Sequence, residues 1–324
     1  MRTHLIGLIL WALPIAVVVA TQAPQAQFGI IANVEYCTGG GKPLLMDVFI
    51  PNNRKATPTA AVLWIHGGGW EHGDKSGNSG AQFLANAGFV TASLTYRLSA
   101  EAPFPAQIED SKCAIRYLRA NAAKYGIDPD RIGAAGSSAG GHLAELIATA
   151  NQNAGLEGNG GWPNVSSKVQ AAVSYFGPSD LTASAKLFPK ETAEVIARFM
   201  GGSESEKPAL YRKASPILYV SKSDPPLLLV HGESDDDVPF DQSVRMFESY
   251  RRAGLPVEFI AVENAGHDFR QIGASALSPS LETIHQRTVD FFSHYLASIP
   301  SAAERRYLYS SPFMASIGPA IAIR

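Results

Sequence analysis

The chain holds only two cysteines, Cys37 and Cys113, among 324 residues. There is no C-x-x-C pair and no clustered His/Cys spacing, so no metal is expected. The two cysteines are expected either to pair after export or to sit as small core residues. Charge of one sign is equally scarce. Lys+Arg number 27 and Asp+Glu 29, giving a formal net charge of -2. Without long runs of either sign there is no electrostatic footprint for nucleic acid, and a small, weakly charged partner fits better. Neither a Walker lysine pattern nor a dinucleotide G-x-G-x-x-G is present, and no internal repeat appears.

Long apolar runs are also lacking, with one exception. Arg2 precedes an apolar stretch from Leu5 to Ala20, and small residues follow at Ala20 and Ala23. This is the layout of an export signal over residues 1–23, so a secreted or periplasmic location is expected. Pro14 interrupts the stretch, which is short for a bilayer span, and no stable membrane span is expected in the mature chain.

Beyond that leader, NVEYC and LLMDVFI read as two strands joined by the Gly-rich turn TGGGKP. From Ala60 onward the rhythm changes. AAVLWI, FVTASLT, RIGAAG, VQAAVSYF, PLLLVH and VEFIAV are brief, nearly continuous apolar runs, as buried parallel strands require. Helical stretches separate them: one from about Pro105 to Tyr125, one capped by Asp241 and stopped by Gly254, and a last one from Leu281 to Ala297. The expected fold class is therefore α/β, a mostly parallel sheet flanked by helices, over residues 24–300. Residues 177–223 are too long for a plain connection and are expected to form a small cover over the site. Residues 301–324 read as a C-terminal extension.

Residues 136–140 read GSSAG, between the strand-like RIGAA and the helix-like GHLAELIATA. A serine at a strand-to-helix corner flanked by glycines has the context of a nucleophile elbow, which points to Ser138. A hydroxyl needs a base and a group that orients the base. His267, in ENAGHDF just past the last strand run, is the candidate base. The acid is sought between them, after a strand, where HGESDDDVPF offers Asp235, Asp236 and Asp237. The spacing H-G-x-x-D-x-x-V-P selects Asp235, with Asp237 as its main competitor, and His231 is read as a structural residue at the strand end. HGGGW, from His66 to Trp70, follows AAVLWI and suits an oxyanion hole built from the backbone N–H groups of Gly68, Gly69 and Ala139. Trp70 and Phe269, together with Phe176 and Phe240, lie beside the motifs as candidate substrate-pocket residues. Asp180 in FGPSDL either orders the cover or faces substrate.

Taken together, HGGGWEHGDK, the segment from Tyr96 to Ile132, GSSAGGHLA, HGESDDDVPF and AGHDF resemble the α/β-hydrolase superfamily over nearly all of residues 30–300. Within it they look like the acetylxylan- and feruloyl-esterase-like group related to the hormone-sensitive-lipase branch. That branch often carries Asp before the serine, where Ser137 stands here, which favours the former group. The resemblance implies a cofactor-free serine carboxylesterase working through an acyl-enzyme, with acetyl or feruloyl esters of plant polysaccharide among its substrates, and the modest aromatic content and lack of a long apolar lid point to short acyl chains. Its alternatives are an amidase or peptidase on the same framework, and a non-catalytic binding protein.

Overall fold

The computed structural model describes residues 27–297 apart from 53, 55–57 and 183. The expected export signal (1–23) and the C-terminal extension (301–324) lie outside the described residues. Eight strands form one sheet: β1 (Phe28–Gly39), β2 (Lys42–Pro51), β3 (Thr59–Ile65), β4 (Val90–Leu94), β5 (Ile127–Ser137), β6 (Ala171–Tyr175), β7 (Leu227–Gly232) and β8 (Val257–Val262). Their order is β1-β2-β4-β3-β5-β6-β7-β8. Only β2 runs against the rest: it pairs antiparallel with β1 and β4, and every pairing from β4 to β8 is parallel.

The continuous apolar runs are explained by burial on both faces. Along β3, Ala61, Leu63 and Ile65 enter one core layer while Val62 and Trp64 enter the other. Helices α1 (Ser79–Asn86) and α9 (Leu281–Tyr295) cover the Trp64 side, through Leu84 and Phe292 among others. Helix α2 (Ala106–Ala120), the short α3 (Ala122–Tyr125) and α4 (Ala139–Thr149) cover the Leu63 side. The region 177–223 contributes α5 (Ser184–Leu187), α6 (Lys190–Met200) and α7 (Pro208–Lys213), and α8 (Asp241–Ala253) packs on β7 and β8.

Two details differ from the sequence reading. The helix expected over 105–125 is divided at Asn121, whose φ of -105° and ψ of 20° are non-helical. Asp241 is the first residue of α8 rather than its cap; Phe240 holds the cap position with no side-chain hydrogen bond, so the Asp241 carboxylate acts as a first-turn charge, 4.0 Å from Arg245 Nε. Among the described residues no helix is long and apolar enough to cross a membrane.

The cysteines pair. A disulfide joins Cys37 on β1 to Cys113 on α2, with Cα atoms 6.3 Å apart and a sequence separation of 76. It ties the outermost strand to the helix layer. Closing so long a loop restricts the unfolded chain, and the Cys37→Ser/Cys113→Ser double variant is expected to lose roughly 2–4 kcal/mol, or about 5–10 °C in melting temperature. Differential scanning calorimetry against the wild type reads this directly; an unchanged melting temperature would contradict it.

Candidate active site

Parallel strands bring their carboxyl ends to one edge of the sheet, and the segments after β3, β5, β7 and β8 meet there. Ser138 follows β5 directly with φ 52° and ψ -119°, in the left-handed half of backbone space that side chains disfavour. The strain is held by packing. A Cβ on Gly140 would collide with the carbonyl oxygens of Ile65 and His66, and one on Gly136 would press against Gly140 and the Ile65 carbonyl. Only glycine at both positions lets β5, the turn and the end of β3 approach this closely. The turn lifts the Ser138 side chain out of the sheet end, and α4 begins at the next residue.

His267 and Asp235 complete a hydrogen-bonded chain. Ser138 Oγ lies 3.0 Å from His267 Nε2, and His267 Nδ1 lies 2.8 Å from Asp235 Oδ2. The carboxylate can only accept, so Nδ1 carries the proton and Nε2 is left to accept from the serine hydroxyl. Asp235 Oδ1 accepts the backbone N–H groups of Asp237 and Val238 at 2.9 and 2.8 Å. Burial on its own pushes the Asp235 carboxyl up, but hydrogen bonds from His231 and His267 outweigh it and hold the group well below the usual carboxylate range. Burial likewise pushes the His267 imidazole down, yet the bond to Asp235 and the charges of Asp235, Asp268 and Asp237 leave it above the ordinary value. Asp237, the competitor in the sequence, is exposed and lines the rim instead.

The HGGG loop faces the same cavity from β3. Gly68 adopts φ 101°, and its carbonyl accepts the N–H groups of both Glu71 and His72 at 3.0 Å, which folds the loop back on itself. A Cβ there would strike the His72 backbone. His66 braces the turn from behind: its ring stacks on Tyr96 with centroids 4.2 Å apart, and Nδ1 lies 2.7 Å from the Gly67 carbonyl oxygen. Burial lowers the His66 pKa. Among the described residues no acceptor takes the N–H groups of Gly68 or Gly69. With Ala139, both line the cavity above Ser138.

The cavity has a volume of about 310 Å³. Its opposite wall comes from α6, through Glu191, Thr192, Val195 and Ile196, so part of the region 177–223 borders the site. The Arg198 guanidinium bonds both carboxylate oxygens of Glu71, at 2.6 and 3.1 Å, joining α6 to the HGGG loop. Trp70 lines this cavity and stacks on Phe199 of α6 with centroids 4.1 Å apart. Phe269 does not. It packs on Tyr175 and Phe176 and lines a separate recess of about 210 Å³ on the α1 and α9 side. Phe176 meets the His267 ring edge-on at 4.8 Å, and Phe240 sits behind, between His231 and Phe259. Asp180 faces inward to Thr182 and Arg245 and orders the chain after β6. Among the described residues no group of three or more His, Cys, Asp or Glu side chains could hold a metal.

Comparison with known proteins adds the family. The BD-FAE family model matches residues 46–250, a span that contains the HGGG loop, Ser138 and Asp235. The chain belongs to the BD-FAE family. Its fold is the α/β-hydrolase fold. Among curated proteins, this BD-FAE chain is 32% identical over 259 residues to the esterase LipQ of Mycobacterium tuberculosis, covering 76% of this chain and 61% of LipQ. It spans about three fifths of the length of the first curated relatives it matches, 61%, 62% and 60%. Among solved structures, it resembles a truncated carbohydrate esterase from gut microbiota, with TM-score 0.74 and 31% identity over 85% of this chain and 99% of that one. A propionate-bound esterase of Thermogutta terrifontis superposes with TM-score 0.65 and 26% identity, over 85% of this chain and 97% of that one.

The elbow geometry makes a direct prediction for the BD-FAE chain. Gly140→Ala is expected to cost about 2 kcal/mol or more, because backbone carbonyls cannot move aside as a side chain would. Gly29→Ala, where a Cβ meets nothing within 4 Å, is the matched control. Urea denaturation of both variants checks the contrast, and equal stabilities would contradict it.

Proposed function

We propose that this chain is a serine carboxylesterase that hydrolyses short-chain carboxylic esters, with Ser138 as nucleophile, His267 as general base and acid, and Asp235 orienting the imidazole. The observation that carries the reading is the continuous Ser138–His267–Asp235 hydrogen-bonded chain at the foot of a cavity roofed by the Gly68–Gly69 loop. In the first step Ser138 Oγ bonds to the ester carbonyl carbon as its proton passes to His267 Nε2. The carbonyl oxygen becomes an oxyanion, which the N–H groups of Gly68, Gly69 and Ala139 stabilise. The carbon–oxygen bond to the alcohol then breaks, and the departing alkoxide takes the proton from Nε2. A water molecule enters, gives its proton to Nε2 and attacks the acyl-enzyme; the acid leaves as the proton returns to Oγ.

The cavity favours short acyl groups. Its volume of about 310 Å³ lies at the small end of the ~300–1,000 Å³ range of ligand clefts, and Trp70, Val195 and Ile196 close the α6 side. Similarity to the gut carbohydrate esterase across nearly that whole chain supports sugar-linked esters, such as acetylated polysaccharide, as natural substrates. The Cys37–Cys113 disulfide supports an oxidising compartment. With the apolar leader before it, the chain is read as an exported enzyme.

Initial rates on p-nitrophenyl acetate, butyrate, octanoate and palmitate, and on acetylated xylan, test the reading. Wild type is expected to prefer the two shorter nitrophenyl esters, and Ser138→Ala to lose about 10⁴-fold or more in kcat. Absence of turnover on every ester by folded wild-type protein would overturn it.

The pH profile follows from His267, which works as a base only when neutral. Its pKa lies above the free-imidazole value of 6.5, so kcat/KM is expected to fall with decreasing pH around a midpoint above that value. The low Asp235 pKa keeps that carboxylate ionised throughout. A flat kcat/KM between pH 5 and 8 on p-nitrophenyl acetate would contradict the assignment.

A further inference from the structure

His231 stands outside the lining of the cavity, fully buried at the carboxyl end of β7. Both of its ring nitrogens are engaged. Nε2 lies 3.2 Å from Asp235 Oδ2 and 3.0 Å from the carbonyl oxygen of Val238, and Nδ1 lies 2.7 Å from Ser243 Oγ. Carboxylate and carbonyl oxygens only accept, so Nε2 carries the proton and Nδ1 accepts the Ser243 hydroxyl hydrogen. The Nε2–H is donated to the Val238 carbonyl, and Asp235 Oδ2, which accepts the N–H of His267, lies against the same nitrogen as a second, longer contact.

The two halves of the Asp235 carboxylate are held differently. Oδ1 is bound by the amides of Asp237 and Val238, which belong to the same loop and move with it. Oδ2 lies 3.2 Å from Nε2 of His231, which belongs to β7, an interior parallel strand beside the edge strand β8, with its far side fixed by Ser243 on α8. His231 is thus the contact that ties the carboxylate to the sheet carrying the rest of the site.

We propose that His231, its ring held from behind by Ser243, is a positioning residue that fixes the Asp235 carboxylate for its bond to His267. Its kinetic consequence rests on the esterase reading above; its effect on His267 does not. The chain of contacts then runs Ser243–His231–Asp235–His267–Ser138, from α8 to the elbow.

The test compares His231→Leu, which fills the space without a donor, with His231→Gln, whose amide places an N–H near the position of Nε2, and with Ser243→Ala. Three readouts are taken: kcat and KM on p-nitrophenyl acetate, the His267 pKa by NMR titration, and the melting temperature. Asp237 and Asp268, the other carboxylates that face His267, are unchanged in all three variants. In the leucine variant kcat is expected to fall about ten- to a hundredfold with KM nearly constant, by analogy with outer-shell partners elsewhere, and the His267 pKa to drop below wild type. Glutamine is expected to restore most of both, and Ser243→Ala to shift both in the same direction by less.

A folded leucine variant with wild-type kcat and His267 pKa would overturn the proposal, as would equal losses in the leucine and glutamine variants that track melting temperature alone. If the leucine variant does not fold, Ser243→Ala carries the decision, and wild-type values there would overturn it. If wild type cleaves no ester, the esterase reading fails, and the NMR titration still decides the role of His231.

Discussion

Everything at this site depends on one steric constraint: β5 must turn into α4 through a serine in left-handed conformation, with two backbone carbonyls of the neighbouring strand pressed against the turn. Gly136 and Gly140 satisfy it by having no side chain where the Ile65 and His66 carbonyls pass. The same closeness sets the site's dimensions. Because the end of β3 touches the elbow, the HGGG loop that continues from β3 faces Ser138 rather than lying a strand away.

Around that fixed point the electrostatics form one coherent chain. The Asp235 side chain has 0% exposure, and a buried anion is tolerated because its oxygens are filled by N–H donors. That anion lifts the affinity of His267 for a proton, while the edge of Phe176 and the loop beyond β8 keep the imidazole in place. A base that gains a proton during attack is best served by an opposite charge that is already ionised and already aimed. The proposed mechanism therefore asks little rearrangement of the protein: charge appears on the imidazole and on the carbonyl oxygen, and donors or acceptors stand ready for both.

Much of this was legible in the sequence, for physical reasons that vary by element. The parallel strands announce themselves because burial on both faces leaves no room for polar residues; AAVLWI and PLLLVH coincide with β3 and β7 to within a residue or two. Glycines at set offsets single out Ser138 as a candidate, and positions just after strands single out His267 and Asp235; the structure brings these three side chains into one hydrogen-bonded chain. Other features depend on distant parts of the chain and leave no local mark. Phe269 lies two residues after His267, yet Asp268 and Phe269 both have positive φ and the Phe269 ring lines a different recess. Pairing of Cys37 with Cys113 follows from α2 packing beneath β1, which spacing alone does not reveal. His231 stands at the carboxyl end of β7 as the sequence reading has it, while its partner Ser243 lies on α8, a contact that no local spacing reveals.

Covalent trapping tests the central claim most directly. The folded protein is treated with diethyl p-nitrophenyl phosphate, a neutral phosphate ester that reacts with activated serines, then digested and mapped by mass spectrometry. The account predicts a single diethylphosphoryl adduct on Ser138, none on the adjacent Ser137, and none in the His267→Ala variant. An adduct on another residue, or equal labelling with and without the imidazole, would contradict it.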